Sequence, residues 1–338
     1  MAEHGKESTQ HGQEVFNANL AKIHAHNAQN LTWTAGVNQF TDMTQSEFKS
    51  FYQGYVANMP VDGSTATQDI LTATPATVPS SVDWRTASSP KGGPVLTPVK
   101  NQGGCGSCWA FSATESIEAD IAIETGKLPV LAPQEFVDCV PNPEQCGGTG
   151  GCQGATAELA FNYTMSKGQI SAEEYKYTGM TGQCKLDKLP KTTAGIKNFV
   201  KLPINEYAPL LAAVAKQPIS ISVDASKWQM YEGGVFTGCP VAKTETVDID
   251  HAVQLVGYGG GTQDAGLPYF IVRNSWSAAW GEKGFIRIDR TSSIAGTCYE
   301  DPTPGDGNGC KGGPSKMTVC GACGILSDSS YPTGGFTK

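Results

Sequence analysis

The first 104 residues contain no cysteine, although the whole chain of 338 residues has 11. Charge is also scarce, at 17%, and no block of lysine or arginine could follow a phosphate backbone. With 24 basic against 32 acidic residues and a formal charge of −8, nucleic acid is not expected as a partner. Long apolar runs are missing too. The longest, from about Leu210 to Ala215, is far short of the ~18 residues that cross a bilayer, so no membrane span is expected. Nor does Met1-Ala2-Glu3-His4-Gly5 lead into an apolar segment, so no secretory signal is read at the start. The 39% hydrophobic content is nevertheless too high for a disordered chain, and the length suffices for about two domain-sized units.

All the cysteines lie between Cys105 and Cys323, which divides the chain into a thiol-free leader and a cysteine-rich body. An odd count implies one thiol kept apart from up to five bridges, and so many cysteines point to an oxidising compartment. Cys105-x-x-Cys108 and Cys320-x-x-Cys323 could suggest zinc, but paired zinc ligands of this kind stand ~15–20 residues apart. Here about 200 residues intervene, so neither a metal nor any other cofactor is expected. The 40 glycines and 20 prolines fit a loop-rich fold held by disulfides.

In the leader, Val15, Phe16, Leu20, Ile23 and Ala25 recur near helical spacing and predict one amphipathic helix over 13–28. A second, short helix is expected after Asp42-Met43-Thr44, with Asp42 or Thr44 as its cap and Glu47 in its first turn. From Val56 to Pro79 the pattern dissolves into Ala, Thr, Pro and Gly, an extended linker. In the body, Ser107 to Thr125 reads as the clearest helix, stopped by Gly126, with shorter ones at 134–140 and 156–165. The second half turns to strands at 219–223, 251–258, 269–273 and 284–288. Thr291 to Pro314, rich in Gly, Pro, Ser and Thr, reads as an inserted surface loop.

The chemistry gathers around Gln102-Gly103-Gly104-Cys105-Gly106-Ser107-Cys108, which sets Cys108 in the first turn of the clearest helix. A helix N-terminus carries partial positive charge and unsatisfied N–H groups, which lowers a thiol pKa and leaves donors for an oxyanion. A thiolate nucleophile needs a proton donor for the leaving amine. His4, His11, His24 and His26 fall in the leader, which leaves His251. An imidazole also needs a third group to fix its tautomer. Asn274, ending an apolar strand in Arg273-Asn274-Ser275-Trp276, can accept its N–H, while Trp276 and Trp280 could exclude water.

Cys105-Gly106-Ser107-Cys108-Trp109, with His251 and Asn274 downstream, is similar to the signature of papain and cathepsin proteases. The chain resembles a papain-family cysteine protease of the cathepsin L branch over nearly its full length. In the leader, Phe16, Asn19, Ile23 and Asn27 fit the second part of the E-R-F-N-I-N helix of such propeptides, although Ser8 and Gly12 stand where Glu and Arg are usual. Gly36, Asn38, Phe40 and Asp42 fit the companion G-x-N-x-F-x-D motif.

The resemblance implies an α+β, papain-like fold of two lobes, a helical left lobe and a β-barrel-like right lobe, with a helical propeptide. Residues 1–77 would be the inhibitory propeptide, helical over about 10–55 with a linker over 56–77, and 78–338 the peptidase domain. Cleavage between Pro75 and Ser81 would separate them. It further implies peptide-bond hydrolysis through a thioester. Cys108 would be the nucleophile, His251 its ion-pair partner, Asn274 the orienter, and Gln102 an oxyanion donor beside the Cys108 N–H.

Gly154 and Ala155, the latter where a second glycine is usual, would meet substrate backbone, with Trp276 beside them. Thr156, Ala157, Ser222, Ile249 and Ala252 would wall the S2 pocket and Asp328 would form its floor. An ionised Asp328 would admit Arg or Lys at P2 besides Leu or Phe, since a lone buried carboxylate calls for a counter-charge. Ser277 also replaces a usual glycine. Bridges Cys105–Cys152, Cys139–Cys184 and Cys239–Cys323 are implied, while Cys146, Cys298, Cys310 and Cys320 allow three connectivities. The implied partners are peptide and protein substrates, the chain's own propeptide in the cleft and cystatin-type inhibitors, with the protease a monomer. A latent zymogen opened at acid pH is expected, with Asp42 a candidate for the protonation, in a lysosome, a vacuole or the extracellular space.

Overall fold

The computed structural model describes residues 9–52, 78–186, 193–242, 244–261, 266–291 and 296–338. The expected linker and cleavage region fall almost entirely outside these.

Helix α1 (Gln10–Asn27) opens where the Thr9 hydroxyl accepts the Gly12 N–H at 3.0 Å, relieving one of the unpaired donors of a first turn. Its amides explain the leader motif. Asn19 Nδ2 donates to the carbonyls of Thr41 (3.0 Å) and Met43 (2.9 Å), and Asn27 exchanges two hydrogen bonds with the backbone of Ala35. They hold the chain that returns past the helix. Part of it, Trp33–Ala35, pairs antiparallel with Tyr231–Phe236, so the leader lends an edge strand to the body. Helix α2 (Gln45–Tyr52) is capped by Thr44. The Glu47 carboxylate accepts the Thr44 N–H at 2.8 Å and Thr44 Oγ1 accepts the Glu47 N–H at 3.2 Å, a reciprocal capping box.

The body has the two-lobed α+β fold. Its first lobe surrounds α3 (Cys108–Thr125), which is buried on almost every side and ends where Gly126 takes a left-handed φ of 76°. The helices α4 (Pro133–Cys139) and α5 (Ala157–Lys167) pack around it through Trp109, Phe136 and Phe161. The second lobe is a mainly antiparallel sheet whose strands run in the order 33–35, 231–236, 285–289, 269–273, 251–259, 219–223, 329–333 and 198–201. Val82–Asp83 adds to the strand 251–259, and α6 (Tyr207–Val214) closes one side of this core. The strands 33–35, 198–201, 231–236 and 329–333 are not among those that alternation suggested: Gly233 and Gly234 interrupt 231–236, Pro332 interrupts 329–333, and 33–35 and 198–201 are too short to show a pattern.

The lobes meet along α3. Ser112 Oγ donates to the Val253 carbonyl and meets Ser220 Oγ, each at 2.7 Å. Deeper in, the fully buried Arg273 lies 3.1 Å from Glu115, and Lys100 lies 2.6 Å from Glu118. Burial raises the Glu115 carboxyl, and the Arg273 and Lys100 charges pull it back.

Disulfides join Cys105 to Cys152, Cys139 to Cys184 and Cys239 to Cys323. Among the three connectivities left open, the structure forms Cys146–Cys310 and Cys298–Cys320. The second of these corrects the reading of 291–314 as a surface loop. Cys298–Asp301 pairs with Met317–Cys320 as a ribbon, Tyr299, Asp301 and Asp306 are buried, and the Tyr299 hydroxyl donates to the Pro240 carbonyl at 2.6 Å. Composition could not show this, because the burial comes from partners far away in sequence.

Candidate active site

Cys108, the one free cysteine, is the first residue of α3 and is buried. The approach is fixed from both sides: the Gln102 N–H donates to the Ser275 carbonyl at 2.8 Å, and the Gly106 N–H to the Cys152 carbonyl at 3.0 Å. Ser107 occupies the cap position, but its hydroxyl turns to Tyr177 (2.7 Å) instead of capping the helix. The N–H groups of Cys108 and Trp109, left without a side-chain cap, act on the Cys108 sulfur.

His251 begins the strand 251–259 and Asn274 directly follows the strand 269–273, its neighbour in the sheet. His251 Nε2 lies 2.8 Å from Asn274 Oδ1. Since an amide oxygen can only accept, Nε2 carries the proton and the Nδ1 lone pair is left bare; Nδ1 is buried and has no hydrogen-bond partner among the described residues. Trp276 stacks on the imidazole with centroids 4.8 Å apart and planes 23° apart, and Trp280 meets Trp276 edge-on at 5.0 Å. The leader covers this stack. Phe40 and Phe48 set their rings edge-on to Trp276 at 5.5 and 5.2 Å, and Gln39 Nε2 donates to the Trp276 carbonyl at 2.7 Å.

One cavity between the lobes is lined by Cys108 and His251 together with Gly154, Ala155, Thr156, Ala157, Ser222 and Ala252. Gln102, Asn274 and Trp276 stand behind its wall, all fully buried. Gln102 Nε2 donates to the Cys105 carbonyl at 3.0 Å and its Oε1 accepts from Ser275 Oγ at 2.5 Å, which fixes the amide plane. Ser275 is a positioning group that the motif did not reveal, although it stands next to Asn274 in sequence. Ser277 has a left-handed φ of 73°, a conformation that costs a β-carbon and accounts for glycine as the usual residue there.

Two expectations need correction. Burial pushes the Cys108 thiol up to about 11, outweighing the backbone N–H groups of Ala252, Trp109 and Cys108 that favour a thiolate. Burial likewise holds His251 down at about 4, against the Asn274 hydrogen bond. In this leader-covered form burial favours the neutral thiol and the neutral imidazole over the ion pair, because desolvation opposes what a helix end supplies. Asp328 differs as well. It reaches Ser222 (3.2 Å), yet its carboxylate lies 2.7 Å from Lys201 Nζ, so it is not a lone charge awaiting a basic side chain. Neither Asp328 nor Ile249 lines the cavity, whose wall instead includes Asp306 and Gly307 from the inserted ribbon.

The family model for the papain family cysteine protease matches residues 78–304, and that for the cathepsin propeptide inhibitor domain matches 3–48. Over 313 residues the chain is 38% identical to Pro-cathepsin H of Bos taurus, covering 90% of this chain and 88% of that protein. It is 40% identical over 286 residues to vignain of Vigna mungo, covering 82% and 74%. Among solved structures, a recombinant stem bromelain precursor superposes with a TM-score of 0.76 at 34% identity, covering 98% of this chain and 96% of that one. The proform of the ragweed pollen cysteine protease Amb a 11 does so with a TM-score of 0.74 at 29% identity, covering 98% and 91%. With a free cysteine at a helix start, an imidazole facing the same cavity and a leader packed on the tryptophan that stacks on that imidazole, the chain belongs to the papain family of cysteine proteases and carries a cathepsin-type inhibitory propeptide.

Proposed function

We propose that Cys108 carries the hydrolysis. Its sulfur attacks the substrate carbonyl after passing its proton to His251 Nδ1, the imidazolium returns that proton to the leaving amine, and water then hydrolyses the thioester. Asn274 holds the ring in the tautomer that leaves Nδ1 bare, and the Cys108 N–H with Gln102 binds the oxyanion. The observation that carries this reading is the shared cavity: a free thiol and an imidazole with an unpartnered Nδ1 line one cleft. Gly154 and Ala155 are the proposed partners of substrate backbone. A hydrophobic P2 side chain lies against Thr156, Ala157, Ser222 and Ala252, whereas a basic one must compete with Lys201 for Asp328.

The leader, as residues 1–77, keeps the enzyme latent by covering Trp276 and the cleft beside it. A tethered segment acts at about millimolar effective concentration, so even ~10 μM intrinsic affinity suppresses turnover ~100-fold. Excision of the leader between Pro75 and Ser81 therefore raises kcat/KM on a blocked fluorogenic peptide by about two orders of magnitude. Equal rates before and after cleavage would contradict latency.

Five disulfides fit a lysosome, a vacuole or the extracellular space. Buried acids favour an acidic one. Burial raises Asp120, Glu135 and Asp301 to about 7 and Asp306 to about 6. With folded pKa values above the unfolded ones, these groups give stability that is complete in acid and lost as pH rises through 6–7. The lowered Glu158 and His251 work the other way as pH falls, but they are fewer. Urea unfolding of the Cys108→Ala chain, which cannot digest itself on this reading, should show greater stability at pH 5 than at pH 8. A rise in stability over that interval would overturn the assignment.

A further inference from the structure

The inserted ribbon crosses from one lobe to the other over the cleft. On the β side, Thr303 Oγ1 donates to Asp248 Oδ1 at 2.9 Å, and Gly307 packs so closely that a β-carbon would lie 1.9 Å from the Ile249 carbonyl oxygen. On the helical side, Cys310 is bonded to Cys146, and the Gly147 N–H donates to the Gly309 carbonyl at 2.6 Å. Between these anchors sits Asp306. It is 6% exposed, it lines the same cavity as Cys108, and its Oδ1 is buried with no hydrogen-bond partner among the described residues. A carboxylate in that position is costly unless a positive charge comes to it.

In the latent chain such a charge comes from the leader. Lys49 of α2 pairs with Asp248, and its field reaches Asp250 and Asp306. Removal of the leader takes Lys49 away and leaves the strap and its carboxylates in place, since Cys146–Cys310 and Cys298–Cys320 lie wholly within the body. We propose that Asp306 is a specificity-determining residue of the mature enzyme, which takes a cationic nitrogen of the peptide substrate once Lys49 has left with the leader. This rests on Cys108 acting as nucleophile. The chemistry is that of an ammonium or guanidinium, supplied either by the peptide's own N-terminus or by a Lys or Arg side chain. The strap makes the site specific, because it fixes the carboxylate against both lobes instead of leaving it on a solvated loop.

The test uses leader-free enzyme at about pH 8, well above the value of about 6 to which burial raises Asp306, so that its carboxylate is ionised. It compares three fluorogenic peptides with one leaving group: an N-acetylated neutral peptide, the same peptide with a free N-terminus, and an N-acetylated peptide with Arg at P2. For Asp306→Asn, kcat/KM on one cationic peptide relative to the neutral one should fall about 10- to 100-fold, the range of a charge-assisted hydrogen bond. Asp306→Glu should restore much of the preference. Which cationic peptide responds identifies the source of the nitrogen. Equal changes on all three peptides, or none, would overturn the proposal even though Cys108 chemistry stands. Wild-type enzyme that hydrolyses none of the three would refute the nucleophile assignment and this inference with it.

Discussion

Replacing Cys108 by alanine should lower peptide hydrolysis by on the order of 10⁵-fold, because a unit of nucleophile and base loses nearly everything when either member goes. The sulfur is the one free thiol in the chain, and it shares the cavity with His251 alongside the hydroxyls of Thr156 and Ser222 and the carboxylates of Asp250 and Asp306, all weaker nucleophiles toward a peptide carbonyl than a thiolate. Without it, the bare Nδ1 has only water or those weaker hydroxyls to deprotonate. The fold should survive. A cysteine trimmed to alanine loses one atom from a helix end otherwise held by Trp109 and the Cys105–Cys152 bridge. An epoxide probe should label wild type and leave the variant unlabelled. Labelling should also be slower for the intact chain than after removal of the leader, since a thiol near 11 is almost wholly protonated at neutral pH. Hydrolysis that persists in the variant, or a label found on another residue, would end the assignment of the nucleophile.

The second large effect lies away from the chemistry. Arg273→Met should destabilise the protein by about 3–5 kcal/mol, the usual result of leaving a buried charge without its partner. Arg273 is fully buried, donates to the Pro98 carbonyl at 2.6 Å and faces Glu115 of α3; Lys100 is 4.0 Å from Glu115 and already engaged by Glu118. It thus ties the helix that begins with Cys108 to the strand that leads into Asn274. Urea unfolding would measure the loss, and the double variant Arg273→Met/Glu115→Gln should recover most of it, because both charges are then gone. A single variant within 1 kcal/mol of wild type would show that the pair contributes little.

Local order was open to reading. Thr44 and Glu47 announced a capped helix, Gly126 its counterpart at the end of α3, and Ile219–Val223 and Tyr269–Arg273 are strands over the residues that their apolar character suggested. Glycines concealed others: Tyr231–Phe236 carries two, one with a φ of 95°, since the leader strand crosses so near that a β-carbon on Gly234 would meet the Thr32 carbonyl oxygen at 2.4 Å. At the site, Cys108, His251 and Asn274 could be chosen from residue type and local position, because a thiol at a helix start, a single histidine outside the leader and an amide at a strand end are all local facts. Their protonation could not be chosen so, since it depends on how much water the assembled lobes exclude.

What the sequence alone determined is therefore what neighbouring residues decide: helix caps, strand alternation, the cysteine-free leader and the candidate nucleophile. Tertiary structure decided what depends on distant partners. It matched Asp328 with Lys201, left Asp306 in the cleft with an unpartnered carboxylate oxygen, and turned a Gly-rich insertion into a strap across the cleft. The physical reason is that burial and charge compensation belong to pairs of groups, and in a folded chain those pairs are set by packing between segments that the sequence holds far apart.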